Sequence, residues 1–167
     1  GPPTPPPSDA VILFDGKDLS AWQPTKWKVE EGQIVAAEGK LVSKASFGDV
    51  QVHAEWMAPT DFKGPWYGSG NNGVTLMDQF EIQIFDSANN DIKLYADGEC
   101  GAIYGQTPPM VNVCRKAGEW QSFDFFFTAP VLGSLTDSSA SSLRASSPFT
   151  AVFSDSGPIP SPRRIAL

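Results

Sequence analysis

The stretch Phe80-Glu81-Ile82-Gln83-Ile84-Phe85-Asp86 alternates polar and apolar side chains over its central residues. Period two puts Glu81 and Gln83 on one face of a strand and Ile82 and Ile84 on the other. Asp86 joins Glu81 on that face only if a bulge follows Ile84, and bulges recur beside active sites. Two carboxylates on one sheet face suit acid–base work at a sugar ring. The plainer alternative is a solvated strand face. A second alternating run, Gln51-Val52-His53-Ala54-Glu55, carries the single histidine of the chain, with Glu55 on the same face. Imidazole titrates near neutrality, so His53 suits a base, an acid or a metal ligand, although a lone His is more often structural. If the two runs pair, His53 and Glu55 stand beside Glu81 and Gln83. His53, Glu55, Glu81 and Asp86 would then offer mixed nitrogen and oxygen ligands to a divalent cation. No H-x-x-x-H or multi-Cys spacing singles out a metal.

Gly68-Ser69-Gly70-Asn71-Asn72-Gly73 is glycine-rich but lacks the strand-to-helix setting of a phosphate loop. It reads as a tight turn entering a strand, with Asn71 placed to bond a hydroxylated ligand. There is no G-x-S-x-G elbow, and one His without a Ser partner argues against a hydrolase triad. Trp56, Trp66, Tyr67, Tyr104 and Trp120 offer rings on which a sugar could stack. Trp56 falls on the apolar face of its strand and reads as core. Trp66 and Tyr67, in a loop, are the better platform.

Strands must position these groups. GQIVAAEGKLVSK reads as a hairpin around Glu38-Gly39-Lys40, and DVQVHAEWMAP as one strand with Val50, Val52, Ala54 and Trp56 inward. GVTLMDQFEIQIFDS gives two strands with a turn near Asp78-Gln79, and EWQSFDFFFTAP gives another strand. No sustained 3.6-residue stripe runs through residues 11–132. The stretches 57–72 and 87–100 read as loops that shape a site. The expectation is an antiparallel, all-β sandwich of jelly-roll type.

Composition agrees. At 167 residues the chain is long enough for one domain with a core. Charged residues make up 19%, below the usual ~25%, while aromatics reach 11% and Gly and Pro number 15 each. The net charge of -7, from 19 acidic and 12 basic residues, is the opposite of a nucleic-acid-binding surface. No apolar run approaches the roughly 20 residues of a membrane span. Residues 1–10 form a Pro-rich spacer of polyproline type, as exported enzymes often carry, so a secreted or periplasmic location is expected. Residues 11–132 read as the folded domain. Residues 133–167 contain ten Ser and no Lys, Glu, Asn, Gln, Tyr, Trp or His. This tail is expected to pack poorly and to lie outside the sheets. Cys100 and Cys114 close a Gly- and Pro-rich segment; they either pair in an oxidising compartment or stay as reduced thiols.

With these residues in view, the chain resembles the 3-keto-disaccharide hydrolase domain family. The matching pieces run in order from about residue 12 to 131: ILFDGKDLSAW, LVSK, FGDVQVHAEWMAP, GSGNNGV, FEIQIFDS, YADGECGAIYGQTPPMVN and AGEWQSFDFFFTAP. The resemblance implies a concanavalin A-like jelly roll and cleavage of glycosides whose glucose is oxidised to a ketone at C3. It implies a carbohydrate partner, and the expected substrate-binding groups for it are Glu55, Trp66, Tyr67, Asn71, Gln83, Tyr104 and Gln106. His53, Glu81 and Asp86 are then the candidate catalytic groups, with a divalent cation as an optional cofactor. Two departures stand out. The family usually reads Gly-Asn-Ser-Gly where this chain has Gly70-Asn71-Asn72-Gly73. After Thr128-Ala129-Pro130 the family continues with further strands, where this chain has its Ser/Arg/Pro tail, as a frameshift would produce. The jelly roll is therefore expected to lack its closing C-terminal strands.

Two other functions compete. A laminarinase-type retaining glycosidase carries Glu-x-Asp-x-x-Glu on one strand, where this chain has Glu81-x-Gln83-x-x-Asp86. A lectin-like module would bind sugar without turnover.

Overall fold

The computed structural model describes residues 5–64, 68–88 and 96–129, with the backbone of residues 152–155 and 163–166. Its strands are β1 (Lys28–Glu30), β2 (Gln33–Ala36), β3 (Gly39–Val42), β4 (Val50–Met57), β5 (Asn72–Leu76), β6 (Phe80–Ile84), β7 (Gln121–Phe127), β8 (Val152–Asp155) and β9 (Arg163–Ala166). They build a five-stranded sheet, β1-β2-β9-β4-β7, and a four-stranded sheet, β3-β8-β5-β6. Every pairing is antiparallel. No α-helix occurs among the described residues, and Ala96–Gly98 forms a short 3₁₀ turn. The jelly-roll sandwich expected from the alternation is the fold observed.

The inward residues of both sheets meet in one core. Ile34 and Trp56 come from the first sheet, and Leu41, Val74 and Ile84 from the second. Trp22 and Trp27 close the core, and both are almost fully buried. Trp22 also donates its indole N–H to the Leu13 carbonyl at 2.8 Å, which satisfies the one polar atom that its burial would strand. On β4 the alternation is clean. Ala54 and Trp56 are buried while Gln51, His53 and Glu55 are exposed, and Trp56 lies 5.7 Å from Phe123 of β7, ring to ring.

Two expectations are corrected. β2 and β3 do not form a hairpin, because the chain crosses from one sheet to the other between them. The tail does not stay outside the sheets. β8 lies between β3 and β5, and β9 between β2 and β4. Both are interior strands, so the sandwich has closing strands and draws them from the segment after residue 132.

The β5–β6 hairpin sets the register that matters for function. Gly73 faces Gln83 and Thr75 faces Glu81 across the pair, while Val74 and Ile82 turn to the core. Its turn holds Met77 and Asp78 at φ of 55° and 54°. Both lie in the left-handed region that a type I′ hairpin turn requires. Neither is Gly or Asn, so the turn is held at a cost of about 1 kcal/mol per residue by the strands it joins.

Candidate active site

The two alternating runs land on different sheets. β4 lies in the five-stranded sheet and β6 in the four-stranded one. Since Ala54 and Trp56 occupy the core side of β4, and Ile82 and Ile84 that of β6, His53 and Glu81 project from opposite outer faces. The expected pairing of His53 and Glu55 with Glu81 and Gln83 is therefore corrected. Period two tells which residues share a face, but not which strand becomes the neighbour. The four-residue cation set falls with it. Among the described residues no group of three or more His, Cys, Asp or Glu is placed to hold a metal ion.

On the outer face of β6, Glu81 is half-buried and Gln83 is almost fully buried. The edge of β6 is covered by a strip of chain. The Gly101 amide donates to the Gln83 carbonyl, the Gln83 amide to the Ala102 carbonyl, and the Tyr104 amide to the Glu81 carbonyl, each at 2.9 Å. Tyr104 is thus fixed beside Glu81 with its ring 44% exposed. Gln106 follows at an exposed turn whose amide returns to the Ile103 carbonyl. Room for the Glu81 side chain exists because residue 73 is glycine, and a Cβ there would overlap the Glu81 carboxylate. Burial pushes the Glu81 carboxyl above the usual carboxylate range, and no charge among the described residues offsets that shift.

β6 ends at Ile84, the buried Phe85 intervenes, and the Asp86 carboxylate accepts the Ser69 hydroxyl at 3.0 Å. The Asp86 amide donates to the Ser69 carbonyl at 2.9 Å, which fastens the glycine-rich turn to the end of β6. Asn71, half-buried, lies on that turn just before β5. Trp66 and Tyr67 lie outside the described residues.

On the other outer face, His53 has a partner that the sequence reading missed. The β4–β7 register sets His53 opposite Asp124, and His53 Nδ1–H donates to Asp124 Oδ1 at 2.8 Å. His53 Nε2 stands 3.9 Å from Glu55 Oε1. All three side chains are more than half exposed. The signal was present in Gln121-Ser122-Phe123-Asp124, whose polar residues at 122 and 124 alternate with inward rings. It needed the strand register to be used. A cleft of about 450 Å³ lies elsewhere, at the β7 edge, with Glu55, Cys114, Arg115, Trp120, Gln121 and Phe123 in its lining and Glu81 outside it.

Comparison with known families supplies the class of protein that this sandwich and site belong to. The model of the 3-keto-alpha-glucoside-1,2-lyase-like domain matches residues 9–137, and the chain belongs to that family. It is on that membership a carbohydrate-active enzyme of glycosidase type. A crystal structure from Parabacteroides distasonis, described as a candidate glycosyl hydrolase, is 29% identical over 95% of this chain and 81% of that one, with a TM-score of 0.81. That coverage extends the likeness into the segment after residue 132. A second structure from the same organism, described in the same words, shares the fold at 18% identity and a TM-score of 0.62, over 92% of this chain and 88% of that one. No curated protein matches the chain. No helix among the described residues is long and apolar enough to cross a membrane.

Proposed function

We propose that the chain cleaves 3-keto-glucosides by elimination, with Glu81 as the base. A ketone at C3 acidifies the proton on C2. Glu81 takes that proton, the electron pair forms the C1–C2 double bond, and the C1–O bond breaks. The departing oxygen takes a proton and leaves as the free alcohol. Water then adds across the enone at C1 to give the 3-keto sugar. Asn71 and Tyr104 are the groups proposed to hold the ring and its hydroxyls, Gln83 being almost fully buried.

The observation that carries this reading is the partial burial of the Glu81 carboxyl. Hydrolysis of an unoxidised glycoside needs two carboxyl groups flanking the bond, roughly 5–10 Å apart. On this face the Glu81 carboxyl is raised by burial and stands beside a neutral amide. One base suffices for removing an acidified C–H proton. Glu81→Gln should lower kcat/KM on a 3-keto-glucoside by at least ~10²-fold while leaving sugar binding intact. Full activity in that variant sinks the assignment, and binding without turnover in the parent chain favours the lectin-like module. A second reading rests on the 2.8 Å His53–Asp124 bond, which in the neutral ring leaves the Nε2 lone pair available as a base. Loss of turnover in His53→Ala, with Glu81→Gln still active, would select it.

A further inference from the structure

We propose that Cys100 and Cys114 form a reversible disulfide that staples the strip of chain bordering Glu81 and Gln83. Both are free thiols in the structure. Cys114 Sγ lies 3.4 Å from the Phe85 carbonyl oxygen, Cys114 packs against the core cluster that holds Cys100, and each thiol is the leading influence on the other's acidity. Each sulfur is therefore already within reach of the other. Both line the open cleft at the β7 edge, Cys100 9% exposed and Cys114 half-buried. An oxidant entering from solvent meets Cys114 first.

The thiols are also unlike in acidity, in the order the reaction needs. The hydrogen bond from Cys100 outweighs burial at Cys114, and bonds from Ser87 and Gln121 add to it, holding this thiol down at about 6. At neutral pH it is mostly thiolate, the nucleophilic form. The neighbouring Cys114 and burial push Cys100 far up, and capture of Cys114 in a mixed disulfide removes the thiolate that holds it there, so Cys100 can give up its proton as it attacks. With a small-molecule disulfide such as oxidised glutathione as oxidant, the Cys114 thiolate attacks one sulfur and releases a glutathione thiolate. The Cys100 sulfur then attacks Cys114 Sγ in the mixed disulfide. Its proton leaves with the second glutathione. Two electrons pass from the cysteine pair to the oxidant, which becomes two thiols.

The consequence lies next door. Gly101, Ala102 and Tyr104, which bond the edge of β6 at Gln83 and Glu81, follow Cys100 directly. Closing the bond ties the near end of that strip to Cys114 and limits its motion away from the sheet. The inference stands on the thiols alone and not on the sugar chemistry. The test uses the full chain, incubated with oxidised glutathione or with dithiothreitol, alkylated and digested. Chymotrypsin, cutting after Tyr104, separates the two cysteines unless a bond joins them. The oxidised chain should weigh two hydrogens less, resist alkylation at both cysteines and yield the joined peptides. Its Tm should rise by about 10 °C, reversibly, given a closed loop near 15 residues. Cys114→Ser should lose that redox-dependent rise. Full alkylation of both thiols after oxidation, or a glutathione adduct that persists on Cys114 with Cys100 still reactive, overturns the proposal.

Discussion

Gly73 is where the structure makes its sharpest demand on a single atom. It lies mid-strand in β5, buried, with an ordinary strand φ that alanine adopts without strain. Adding a Cβ would bring it to 2.6 Å from Glu81 Cδ, against an ordinary carbon–carbon contact of ~3.5 Å or more. Oε1 and Cγ are closer still, so the side chain from Cγ outward must swing away by more than about 1 Å into another rotamer, which its flexibility allows. Leaving its rotamer costs Glu81 about 0.5–1.5 kcal/mol. Removing a glycine from a strand interior returns about 0.5–1 kcal/mol. The net stability change of Gly73→Ala should thus stay within about 1 kcal/mol. The functional change should not. A base displaced by ~1 Å from its proton loses on the order of 10²-fold in rate. Pushed outward, Glu81 also regains solvent, and its titration should move down towards the ordinary carboxylate range. Two measurements check this: a carbon-13 carboxyl titration of Glu81, and kcat/KM on a 3-keto-glucoside, with thermal melting as the control. An unchanged Glu81 titration, or kcat/KM within threefold of the parent at unchanged Tm, would refute the claim that Gly73 seats a working carboxylate.

Two further outcomes follow from the same coordinates. The folded chain holds the Glu81 proton more tightly than the unfolded chain does, so Glu81 contributes stability that is complete below its unfolded value near 4.5 and is withdrawn as pH rises through the raised folded value. Chemical denaturation at several pH values should show Glu81→Gln gaining on the parent across that window, and parallel curves would show the burial to be inconsequential. Ile165→Pro should lower Tm by roughly 10 °C, since β9 pairs with β2 and β4 on both sides and proline removes a ladder donor there; an unchanged Tm would place the tail outside the five-stranded sheet.

Much of the fold was legible because period two survives wherever one strand face is buried. Val50, Val52, Ala54 and Trp56, and the inward rings of Phe123 and Phe125, announce their side without reference to any partner. Sheet membership was not legible. The break between Ala36 and Gly39 looks like a hairpin turn in sequence, yet Gly39 at φ 104° carries the chain across the core to the other sheet. The tail strands were missed for a different reason. Each spans four residues, Val152–Asp155 and Arg163–Ala166, and four residues are too few for alternation to stand out from a Ser- and Pro-rich background. At the site, Glu81 and Gln83 were legible as a shared face, whereas the His53–Asp124 bond depends on a strand register that links residues 71 apart.

The two outer faces separate two ways of making a base. His53 gains orientation from Asp124, but in a setting open to water, where an ion pair counts for about a quarter of what it does at lower dielectric. Glu81 gains its basicity from partial loss of water. A raised carboxyl is the stronger base, and proton uptake from C2 would relieve the desolvation that raised it. The fold supplies that desolvation through backbone alone, with a glycine in the adjacent strand to admit the side chain and a hydrogen-bonded strip from Gly101 to Tyr104 to roof its edge. A site built in this way needs no second carboxylate beside it. One that stood within a few ångströms would raise Glu81 further still.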